Sequence, residues 1–266
     1  MASVADSTCL TAPRRAISEH MPARPYPRPP IQEALVELRF VDDGRWNWTW
    51  PGRFWEQVKN EYDGEPSTEQ AISVNAHQQA GMLTTRAVAG VGRVFLRSTR
   101  DTGLLALAPS AMSVHVLRPY AGWSTFRPRV VAAIEAHQKL QADAQVTRVG
   151  VRYVNHIVLP GDNLNLADWF TSSPTLPDGV GPAMVALMSR VETAYDDGAR
   201  LAITLATVQH DQPNEHAFLL DLDLSWSSPE PVPVTNSVYD VIDSLHDREG
   251  TAFEAMITDA TRQLFR

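Results

Sequence analysis

The stretch Tyr26–Phe40, YPRPPIQEALVELRF, sets three prolines ahead of a run in which Ala34, Val36, Leu38 and Phe40 alternate with Glu33, Glu37 and Arg39. Proline fixes φ and biases the residue before it toward extended backbone, so Pro27, Pro29 and Pro30 hold the chain open and a strand begins near Ile31. The period of two predicts one buried face and one polar face. A strand introduced by prolines also suits a sheet edge, where a missing N–H costs nothing.

Working outward from that strand, Asp42-Asp43-Gly44 breaks it and Pro51 starts a helix over 52–63, with Phe54, Trp55, Val58 and Tyr62 on one face. GMLTTRAVAG (81–90), GRVFLRST (92–99), TGLLALAPS (102–110) and MSVHVLRPY (112–120) read as an antiparallel meander separated by Gly, Asp and Pro. A helix follows from Ser124, a residue type suited to an N-cap, to about Gln141. The second half repeats the plan. TRVGVRYVNHIVLP (147–160) is a long strand and LADWF (166–170) a helical turn. A three-strand meander over 183–226 carries the hairpin signal Asp197-Gly198. Two helices over 236–247 and 251–265 close the chain around a stop at Gly250, with Phe253, Met256, Ile257, Ala260 and Leu264 facing inward. Each half thus reads strand, helix, antiparallel meander, helix. The expected class is α+β, antiparallel sheets with packed helices, in two related lobes (26–143 and 144–266) behind a disordered tail (1–25).

Composition sets the function classes that fit. The chain has 266 residues, 44% of them hydrophobic and 20% charged, which is ordinary for a globular protein with a well-buried core. A formal charge of −8 argues against nucleic acid as the main partner, because phosphate affinity comes from Lys and Arg. The single cysteine, Cys9, allows no internal disulfide or cysteine metal cluster, and a cytoplasmic protein is expected. No apolar run approaches the roughly 18–20 residues of a membrane span, and residues 1–25 lack the apolar core of a secretory signal. Neither a G-x-S-x-G elbow nor a Walker A loop is present, and GVGRVF (90–95) lacks the third glycine of a dinucleotide fingerprint.

Four groups of residues carry candidate chemistry. Glu33 and Glu37 share a strand face about 13 Å apart, too wide for a paired-carboxylate acid/base site. Arg148, Arg152 and His156 alternate with Val149, Val151 and Tyr153. If the two lobes' first strands pair, the glutamates meet these arginines in a ladder of charge-assisted bonds, and the arginines otherwise offer an anion site. Asp221 and Asp223 in FLLDLDLSW lie roughly 7 Å apart on one face, a separation that could bridge a divalent cation or a catalytic water with help from His210, His216 or His246. No spacing matches a zinc signature, so no metal is assigned, and the sequence identifies no cofactor. Trp46, Trp48 and Trp50 fall on one side of an extended segment, beside Trp55, as either core or an interaction surface. Tyr153 and Asn155 lie opposite the arginines, where a buried Asn must find hydrogen bonds and a pocket role is secondary.

Four stretches, YPRPPIQEALVELRF, RVGVRYVNHI, LLDLDL and LHDREGTAFEAMITDATRQLF, resemble in order and spacing the hallmarks of a sporadically distributed family of uncharacterised bacterial and archaeal proteins of about this length. The resemblance spans nearly the whole chain from Tyr26. It implies no activity for any residue, and the patchy distribution suits a defence or toxin–antitoxin accessory. The residues and the resemblance together favour a non-catalytic module that binds a protein partner or a small anionic ligand, as a monomer or a homo-oligomer. The alternative is a metal-dependent or acid/base enzyme centred on Asp221 and Asp223.

Overall fold

Nine strands form one continuous antiparallel sheet, ordered β2-β3-β4-β5-β1-β6-β9-β8-β7, in a computed structural model that describes residues 24–266 apart from 48, 80, 81, 162, 163, 178, 181–183 and 213. The expected tail with Cys9 lies outside the described residues up to position 23, as does Trp48. The first half supplies β1 (Ile31–Phe40), α1 (Trp50–Val58), β2 (Ser67–Gln79), β3 (Met82–Arg97), β4 (Gly103–Ala108), β5 (Ala111–Leu117) and α2 (Trp123–Leu140). The second supplies β6 (Gln145–Pro160), a 3₁₀ turn (Leu166–Asp168), β7 (Met188–Ala194), β8 (Arg200–Val208), β9 (Glu215–Pro233), α3 (Asn236–Met256) and α4 (Asp259–Gln263). The class is α+β, as the sequence predicts.

Each half opens on one strand, crosses over, and runs a meander whose last strand returns to pair with the first: β5 with β1, and β9 with β6. The two opening strands then pair with each other, Val36 opposite Val151 and Leu38 opposite Val149. That pairing places β1 fifth of nine, in the centre of the sheet and not at an edge. The prolines end before the ladder begins, so none of them removes a ladder donor; instead the Pro30 carbonyl accepts from His156 N at 2.8 Å.

The helices cover one face. Ala34, Val36 and Leu38 of β1, Val149, Val151 and Ile157 of β6, and Leu220, Leu222 and Leu224 of β9 are all completely buried. They meet Phe54, Phe126, Val130, Ile134, Val238 and Ile242 from α1, α2 and α3 in one core. At about 1.5–3 kcal/mol for each fully buried Val, Leu or Ile, this alternation dominates the choice of register, since a one-residue slip would turn every such side chain outward.

Several boundaries differ from the sequence reading. Residues 81–90 and 92–99 are not two strands but parts of one, β3, and β2 ahead of it carried no clear apolar alternation. Gly122 caps α2 in place of Ser124; its φ of +100° suits a glycine, and its carbonyl accepts from Thr125 N and Phe126 N. Gly250 does not stop a helix. Helix α3 runs through it to Met256, because the buried stripe continues on both sides and packing outweighs the cost of a helical glycine. The break falls at Ile257–Thr258, which shifts the phase, so Ala260 is exposed while Thr261 and Phe265 are buried. The Asp197-Gly198 hairpin forms as read, with Gly198 at φ +84° and Tyr195 N donating to Ala199 O at 2.8 Å.

Candidate functional site

The charged residues picked out in the sequence all fall on the sheet face away from the helices. Glu37 accepts from Arg39 Nε and Arg148 Nη1, both at 2.8 Å. Arg152 does not reach Glu33; it makes a two-pronged pair with Asp221 at 2.8 and 2.7 Å. Glu33 pairs instead with His115 Nδ1 at 2.7 Å, and His115 Nε2 meets Ser113 Oγ at 2.7 Å. The bond to His115, ahead of desolvation, holds the Glu33 carboxyl below its usual range. Asp223 lies 3.9 Å from Arg148, and burial pushes its carboxyl up. His156 is half-buried on the same face, and desolvation keeps its imidazole below the usual value.

This arrangement balances charge and leaves little for chemistry. Arg148 and Arg152, the expected anion anchors, are both committed to carboxylates. Among the described residues no three His, Cys, Asp or Glu side chains converge as metal ligands, and the partner of Asp221 is a guanidinium. Ser113, His115 and Glu33 share the order of a nucleophile relay, but Ser113 sits mid-strand with β5 laddered to both β4 and β1. Its neighbouring N–H groups are engaged in those ladders. The pairs tie β1, β5, β6 and β9 together. Glu37→Gln is therefore expected to cost about 1 kcal/mol in urea unfolding, the size of one partly buried charge-assisted pair, and to leave ligand binding unchanged.

Among the described residues, Trp46, Trp50 and Trp55 do not form an exposed surface. Trp50 opens α1 and is 7% exposed, its ring 5.4 Å from Phe54 and 5.3 Å from His137. Trp46 is half-buried against it at 5.2 Å. The helix turns Trp50 inward, which the assumption of an extended segment could not anticipate.

On the opposite, helix-covered side lies a cavity of about 590 Å³, walled by the proline segment, the start of α2, the middle of β6 and the C-terminal half of α3. Tyr153 and Asn155 project into it from β6, on the face the alternation assigns them. Asn155 Nδ2 donates to the Leu220 carbonyl at 3.1 Å. Tyr120 and Trp123 enter from the α2 side. The Tyr120 ring stands edge-on to Tyr153 at 5.7 Å, and Trp123 stacks on His246 of α3 at 4.1 Å. Tyr120 Oη, Tyr153 Oη and His246 Nδ1 form a chain with two 3.0 Å links. Burial keeps the His246 imidazole below its usual value, and the Tyr153 oxygen sits between Tyr120 Oη and His246 Nδ1, with the donor at each link set by the imidazole tautomer.

The proline segment is strapped in place by the C-terminus. Tyr26 Oη donates to Glu254 Oε1 at 2.6 Å, Arg262 Nε donates to Glu254 Oε2 at 2.7 Å, and Arg28 N donates to Phe265 O at 3.0 Å. Glu254 is thus a buried carboxylate with both oxygens satisfied. Five residues earlier on the same helix, Glu249 is 6% exposed, lines the cavity, and makes no side-chain hydrogen bond among the described residues. Desolvation alone raises it from 4.5 to about 8.

Neither a family model nor a curated protein matches the chain. No helix of the described residues is long and apolar enough to cross a membrane. Tyr153, Asn155 and His246 had been noted in the sequence, but Glu249, Tyr120 and Trp123 had not. A signal for Glu249 was there: Val238, Ile242, Leu245, Glu249 and Ala252 follow the alternating four-and-three spacing of one buried helix stripe, and all five are buried.

Proposed function

We propose that this protein is a non-catalytic binding module for a small amphipathic molecule, held in the cavity between β6, α2, α3 and the proline segment. The observation that carries the reading is a buried carboxyl, Glu249, without a hydrogen-bond partner among the described residues, in an aromatic cavity of about 590 Å³. That volume falls in the range of drug-sized ligand sites, and an uncompensated buried polar group is costly unless something else satisfies it. Three of the four stretches that carry the family resemblance supply the lining: Tyr26–Ile31, Tyr153 with Asn155, and His246–Glu254. The fourth anchors Asn155 through Leu220.

Binding is favoured over turnover because the lining imidazole, His246, is engaged by Tyr153 and stacked on Trp123. The charged face of the sheet, where an acid/base enzyme would centre on Asp221 and Asp223, is internally paired. Native mass spectrometry of the protein purified gently from its own host tests the reading. A bound small molecule of a few hundred daltons is expected, and it should be absent from Ser124→Trp, which places an indole at the cavity wall. A ligand-free protein whose mass is unchanged by hydrophobic extracts of the host would overturn it.

A further inference from the structure

Two glutamates of α3 are buried five residues apart on one helix, and among the described residues only one has a counter-ion. Glu254 is matched by Arg262 and Tyr26. Glu249 shares the cavity lining with Tyr120, Tyr153, Trp123 and Phe253. Among the described residues no side chain hydrogen-bonds or pairs with it, and the residue is 6% exposed.

We infer that the cavity takes an organic cation, a quaternary or bulky tertiary ammonium on an apolar or aromatic body, with Glu249 as counter-ion and the Tyr120, Tyr153 and Trp123 rings as walls. This inference rests on the ligand-binding reading and names its ligand class. Ring faces attract a cation, and a desolvated site strengthens the attraction. A primary ammonium would need three acceptors once stripped of water, and the Tyr153 oxygen already takes part in two hydrogen bonds. A quaternary ammonium needs no hydrogen bond, only the charge and the rings. A metal ion would want several oxygen ligands, and Glu249 is alone.

The surrounding charges permit it. Arg262 is neutralised by Glu254 and Asp259, and Arg24 is exposed at the rim. Burial raises the Tyr120 and Tyr153 hydroxyls and, with the Glu254 bond, carries Tyr26 to about 12, while His246 is held below 6.5. Between about pH 6.5 and 8, Glu249 is the cavity group that titrates. A cation entering in that range displaces one proton from Glu249 to solvent, so the cavity's net charge is conserved.

The test is calorimetric titration of the full chain and of Glu249→Gln with benzyltrimethylammonium and with neopentylbenzene, its uncharged carbon isostere. The cation should bind at least about tenfold more tightly than the isostere at pH 8, and weaken by up to about tenfold per unit as pH falls below about 8. In Glu249→Gln the preference should vanish while the isostere still binds. Equal affinity for both probes would overturn the cation and leave the cavity as a ligand site, and a preference that survives undiminished in the variant would overturn Glu249 as its counter-ion. Binding of neither probe would overturn both readings.

Discussion

Glu249→Gln should make the ligand-free protein more stable, by about 4 kcal/mol near pH 8, or roughly 8–16 °C in melting temperature for a chain of this size. The sign follows from linkage. The folded carboxyl holds its proton up to about pH 8, whereas in the unfolded chain it ionises near 4.5. Between those values the folded state binds the extra proton, so this group's contribution is fully present below about 4.5 and is lost as pH rises toward 8. A neutral amide has no such slope. The gain should therefore be near zero at pH 4.5, grow with pH, and level off above about 8. Melts of both proteins across that range check it; a gain independent of pH would mean that ionisation is not its source. A residue that weakens the fold where it stands is easier to understand as a site than as structure.

Glu254→Gln should do the opposite. Its carboxylate is 1% exposed and Arg262 is 13% exposed, so removing the charge leaves a largely buried guanidinium with only the exposed Asp259 as counter-ion. The expected cost is about 2–3 kcal/mol, the size of a lost hydrogen bond between charged groups, measured as a lower urea midpoint with unchanged slope. Because the same carboxylate holds Tyr26 Oη at 2.6 Å, the variant should also release the proline segment from the cavity and weaken ligand binding. The two substitutions are the same chemical change five residues apart on one helix. Opposite effects on stability would separate the paired carboxyl from the unpaired one directly.

Much of the fold was legible because alternation is a local signal. Ala34, Val36, Leu38 and Phe40 define a buried strand face without reference to anything else, and so do Val149, Val151 and Tyr153 on β6. The position of β1 in the sheet was not legible, since it depends on β5 and β6, both far along the chain. Gly250 and Ser124 misled for a related reason: a stop or cap propensity is worth about 1 kcal/mol, less than burial of the neighbouring helix face. At the charged face, the sequence supplied the right residues but the wrong partners. Arg152 could reach across to β1 or to β9, and only the register opposite Asp223 and beside Asp221 decides that it turns to β9. Glu249 escaped notice because Asp247, Arg248 and Gly250 around it read as a solvated surface, although its place on the stripe is that of a core residue.

The central pairing of β1 with β6 also orders events in time. Glu37 and Arg148 are 111 positions apart and Tyr26 and Glu254 are 228 apart, so the middle of the sheet and the wall of the cavity close over very long loops. During synthesis, β1 through β5 can assemble first, but β1 then presents an open edge to whatever else is nearby. The chain must shield that edge until the second half emerges, and the cavity comes into being only after α3 has been made.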